Sequence, residues 1–63
     1  MNYEVQSPIK LLKAVQVAEI LNVSRAFAYR LMQKGIIPTV KILGARRVCL
    51  EDLNRYIQKN KSK

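Results

Sequence analysis

Apolar residues recur at Ala14, Val17, Ala18 and Leu21 while Gln16 and Glu19 fall on the other side, a spacing that predicts a first helix over this stretch. A second stripe follows at Ala28, Leu31 and Met32. Opposite it lie Arg25, Ala26, Tyr29, Arg30 and Gln33, with Phe27 on the border. The residues between the stripes have turn chemistry. Asn22 tolerates the left-handed conformation that ends a helix, and Ser24 offers an oxygen to an orphan amide of the next one. Gly35, with Pro38 beyond it, stops the second helix, which is expected over 25–34. The start of the first helix is weakly signalled, because Lys13 stands where Ser or Thr would cap. Only Gln16 can reach back.

From Thr39 to Leu50 the pattern alternates as in a strand pair. A two-residue turn at Gly44-Ala45 would set an arginine on the apolar face. A loop from Gly44 to Arg46 instead aligns Val40 with Leu50 and Ile42 with Val48, so that all four share one face. The second register is the expected one. It puts Arg46 at the hairpin tip and Arg47 on the face away from the core, beside the strand that carries Lys41. A third helix should begin near Glu51, with Glu51 and Asp52 in its first turn, where the helix dipole favours anions. It should bury Leu53, Tyr56 and Ile57, with Val48 packed against it as a staple. Ile9 to Leu12 is a short apolar stretch left open between strand and simple packing, and Met1 to Pro8 has no periodicity. The expected layout is one domain over 1–63, with an ordered core at about 9–58 and a basic tail at 59–63.

Composition narrows the function. A chain of 63 residues builds one small domain with no room for an enclosed catalytic pocket, so it is not expected to be an enzyme. One cysteine, Cys49, excludes an internal disulfide, and the absence of histidine argues against a metal cofactor. The apolar runs are short and the amino end is not signal-like, which points to a soluble, cytoplasmic chain without a membrane partner. The formal net charge is +8. Between Glu19 and Glu51 stand Arg25, Arg30, Lys34, Lys41, Arg46 and Arg47, and not one carboxylate. A projecting helix and a projecting hairpin, each rich in arginine, suit the grooves and phosphates of duplex DNA. Arg25 and Arg30 can make paired bonds to guanine N7 and O6, and Ala26 and Phe27 can meet a thymine methyl. Tyr29 and Gln33 can reach phosphate oxygens. Arg46 or Arg47 suits a narrow minor groove. An RNA module would display stacking aromatics on its sheet, and this hairpin has none.

Several strings together carry a family resemblance. Leu11-Leu12, Val17-Ala18-Glu19-Ile20-Leu21-Asn22-Val23-Ser24-Arg25, Tyr29 through Pro38, Arg46-Arg47-Val48 and Glu51-Asp52-Leu53 resemble the excisionase-family DNA-binding domain, which is related to the DNA-binding part of MerR-type regulators. The resemblance implies a mainly α, winged helix-turn-helix fold, with helix 2 in the major groove and a two-stranded wing at the adjacent minor groove or backbone. It implies that Ser24 caps the recognition helix, that Arg25 and Arg30 face the groove, that Tyr29 contacts phosphate, and that Arg46 and Arg47 are wing arginines. Lys13 departs from the usual Thr or Ser of the family, and Asn22 from the commoner Gly.

The expected function is that of an excisionase-like accessory factor that binds DNA repeats near an attachment site and biases a site-specific integrase toward excision. The second reading is a small phage or plasmid transcriptional regulator with the same domain. The lack of an appended effector domain or long dimerisation helix tilts the choice toward the first. The expected state is a monomer in solution that assembles cooperatively on DNA.

Overall fold

The computed structural model describes residues 10–62. The expectations placed on residues 1–9 lie outside them. The elements are β1 (Leu11–Leu12), α1 (Ala14–Leu21), α2 (Arg25–Gln33), β2 (Val40–Ile42), β3 (Ala45–Cys49) and α3 (Leu50–Lys59).

The two leading helices start where the sequence says they should, and α2 stops one residue short of the expected end, at Gln33 with Lys34 as its cap. At the start of α1, the Lys13 N–H donates to Gln16 Oε1 at 2.8 Å, the one bond available when the cap residue has no acceptor. Asn22 then takes φ 60° and ψ 47°. Its N–H donates to the Glu19 carbonyl and that of Val23 to the Ala18 carbonyl, closing the helix with a left-handed cap. Ser24 follows at once in extended conformation, and its Oγ accepts from the Phe27 N–H at 3.1 Å. Gly35, at φ 71°, ends α2 in the same way: Gly35 N–H donates to Met32 and Ile36 N–H to Leu31. Cβ strain makes this conformation unfavourable for most residues, which is why glycine and asparagine mark the two helix ends.

The core is one cluster between the helices and the sheet. Val17 and Ala18 of α1 meet Ala28, Leu31 and Met32 of α2, and Ile37, Val48 and Leu53 close it from the far side. Val48 precedes the α3 cap and Leu53 lies one turn inside; both are wholly buried, as a hydrophobic staple requires. Leu12 joins them from β1. Helix α3 begins at Leu50, one residue before the expected start, and runs through Lys59, which is therefore helical and not part of a tail.

The sheet corrects the expected hairpin. It has three antiparallel strands in the order β1-β3-β2, so the open stretch before α1 contributes an edge strand: Leu11 pairs with Cys49 and Leu12 with Val48. In the wing, Val40 pairs with Arg47, Lys41 with Arg46 and Ile42 with Ala45. The turn is therefore Leu43-Gly44, not Gly44 to Arg46, and Arg46 lies in a strand instead of at the tip. The expected pairing of Val40 with Leu50 and Ile42 with Val48 assumed that all four reach the core. They do not, because Ile37 enters the core and the chain then leads outward, leaving Val40 38% and Ile42 48% exposed. Lys41 consequently shares a pleat face with Arg46 and Val48, and Arg47 lies on the other.

Leu43 closes the turn at φ 57° and is 94% exposed. An L-residue with a large side chain is strained there, whereas asparagine adopts this region more readily. Leu43→Asn is therefore expected to raise stability by a few tenths to about 1 kcal/mol. The check is the urea midpoint at constant m-value. A lower midpoint would contradict the turn geometry.

Candidate nucleic-acid interface

Helix α2 presents its polar face to solvent because Ala28, Leu31 and Met32 anchor the opposite side. At roughly 100° per residue, Ala26 and Gln33 fall near the centre of the outward arc, Arg25 and Tyr29 on one flank and Arg30 on the other. All five are exposed, Tyr29 by 53%, as is Phe27 at 43% beyond the Arg30 flank. Tyr29 is thus outside the core and free to meet a ligand. The capping oxygen of Ser24 is occupied by the Phe27 amide, which fixes the amino end of the helix that Arg25 opens.

The helix and the wing meet on one surface. Arg25, Ala26 and Tyr29 of α2 and Arg47 of β3 line a single open hollow of about 410 Å3, together with Lys13, Ala14 and Val15 at the start of α1. Arg47 is half-buried, and its Nη1 donates to the Arg46 carbonyl at 2.9 Å. That bond orients the guanidinium and leaves its other donors unused by it. Lys13 belongs to this group and was not foreseen among the site residues. The only sequence signal was a cation where a cap should stand.

Arg46 and Lys41 are held apart from that hollow, on the other face of the ribbon. They pair directly across the ladder, and like charges so placed repel. Arg46 Nη1 also donates to Thr39 Oγ1 at 3.3 Å. Arg30, Gln33 and Phe27 do not line the hollow either; they follow the helix face away from it. Among the described residues the one ion pair is Asp52 with Arg55 at 3.0 Å, on α3, so none of the six cations between Glu19 and Glu51 has a carboxylate partner there. A basic surface with no carboxylate partner among the described residues attracts a polyanion.

The described residues contain no cluster of three or more His, Cys, Asp or Glu side chains and no helix long and apolar enough to cross a membrane. Two short helices joined by a tight turn, a third behind them and a basic hairpin beside the second define a winged helix-turn-helix. This is a DNA-binding class, whose members are typically non-enzymatic. The chain belongs to the helix-turn-helix domain family, which matches residues 11–61 and includes excisionase-like DNA-binding domains. Comparison with curated proteins and with solved structures gave no match.

Proposed function

We propose that this protein is a sequence-specific DNA-binding accessory factor of the excisionase type. The observation that carries the DNA geometry is the shared hollow: Arg25 and Tyr29 of the helix stand beside Arg47 of the wing, so both elements can engage one duplex together. In this reading α2 enters the major groove. Arg25 and Arg30 address guanine edges, Ala26 and Phe27 meet thymine methyl groups, and Tyr29 and Gln33 hold phosphates. The wing lies along the neighbouring minor groove. Its cations face both ways, Arg47 on one side and Lys41 with Arg46 on the other, which suits a ribbon flanked by two phosphate walls. A single module of this size offers a small interface, and tight occupancy then calls for copies side by side on repeated sites. The protein partner in this reading is a site-specific integrase, and the free protein is a monomer.

Two measurements test it. Neutralisation of about five phosphates gives a plot of log affinity against log salt with a slope near −4 to −5. A flat profile removes the electrostatic basis of the proposal. An excision assay with the cognate integrase, run with and without the protein, decides the accessory role. Stimulated excision supports it, whereas unchanged recombination with an altered promoter reporter assigns the domain to a transcriptional regulator.

A further inference from the structure

Lys13 is an odd choice for the position it holds. It immediately precedes α1 in extended conformation, where a hydroxyl or carboxamide oxygen would satisfy a free amide of the first turn. An ammonium group has donors only and cannot do so. Gln16 makes the reciprocal bond, and the side chain of Lys13 is left exposed, with no carboxylate partner among the described residues. Helix formation therefore does not account for a lysine here.

The hollow does. Lys13, Arg25, Tyr29 and Arg47 come from three separate parts of the chain and converge on its walls, with Ala14, Val15 and Ala26 as the apolar part of the lining. Among the described residues no carboxylate lines it. Three cations around one recess repel one another, and an anion in the recess reverses the sign of that interaction. The donor set also specifies the kind of anion. An ammonium, a guanidinium oriented by its bond to the Arg46 carbonyl and a phenol-bearing side chain line one recess, and a tetrahedral group with several acceptor oxygens can accept from all three kinds of donor.

We propose that Lys13 is a DNA ligand. With Arg47 and Tyr29 it seats one backbone phosphate in this hollow, and Arg25, which shares the lining, is left to reach onward to the adjacent bases. The assignment rests on the DNA-binding reading above and adds to it a residue outside both the recognition helix and the wing. It also gives the lysine a reason: the residue that best starts α1 and the residue that best holds a phosphate are different, and the chain has the second.

Lys13→Thr separates the two roles, because the variant gains a helix cap while losing the cation. Its melting temperature is expected to rise while its affinity for a short duplex of random sequence falls, followed by fluorescence anisotropy through a salt titration. The magnitude of the log-affinity against log-salt slope should drop by about 0.9, the value for one phosphate contact. Lys13→Gln should lose the same slope, and Lys13→Arg should keep most of it. Lys61→Gln removes a charge outside the hollow and should alter the slope less. If Lys13→Gln changes the slope no more than Lys61→Gln while the wild-type protein retains steep salt dependence, the phosphate seat is overturned and the DNA reading stands. If the wild-type protein does not bind duplex DNA at all, the DNA reading fails first and takes the seat with it.

Discussion

A Leu53→Ala variant is expected to lose most of the domain's stability. Leu53 is wholly buried one turn into α3, in the same cluster as Val48, Ile37 and Met32. It anchors the third helix: among the residues of α3 it is the one that is buried outright, with Leu50, Tyr56 and Ile57 only partly covered. Truncating a buried leucine removes its transfer free energy and leaves a cavity, together about 3–5 kcal/mol. A domain of this length has roughly 3–9 kcal/mol in total. The melting temperature, followed by circular dichroism at 222 nm, should fall by at least about 12 °C, and a loss at the upper value leaves the chain largely unfolded at about 37 °C. A shift of only a few degrees would show that α3 is held by something other than its leucine.

The second large effect concerns sequence choice. After enrichment of a preferred site from a randomised duplex pool, Arg25→Ala and Arg30→Ala are each expected to reduce discrimination between that site and random DNA by roughly 5- to 150-fold, equivalent to about 1–3 kcal/mol per paired guanine contact. The two residues flank the outward arc of α2 from opposite sides, so their losses should be close to additive. Arg46→Ala, in the wing and bonded to Thr39 Oγ1, should weaken binding to both DNAs alike. Equal weakening on every sequence by all three substitutions would refute this division between reading and gripping.

Much of this architecture is written locally in the chain. Asn22, Ser24 and Gly35 announce their helix ends because each acts through its own backbone or a bond three residues away. The apolar spacing of Ala28, Leu31 and Met32 then fixes which face of α2 is free. The hairpin register is not written locally, because it depends on how far the ribbon extends past the core, a tertiary fact. Val40 and Ile42 look like core residues in an alternating pattern and are instead wing surface. A leucine at positive φ gave no warning that the turn would close at Leu43-Gly44. The two-residue strand at Leu11-Leu12 is too short to carry a period of its own, and only its pairing with β3 defines it. At the interface, Arg25, Tyr29 and Arg47 were identified by residue type, but their meeting with Lys13 was not, since residues so far apart in sequence are joined only by the fold.

The position of β3 at the centre of the sheet has a consequence for biosynthesis. Leu12 finds its strand partner in Val48, and the same cluster is sealed by Leu53. During synthesis Leu11 and Leu12 therefore stay without their strand partner until Val48 and Cys49 have left the ribosome, and the cluster closes only once Leu53 has followed, so this core forms late instead of stepwise from α1 onward.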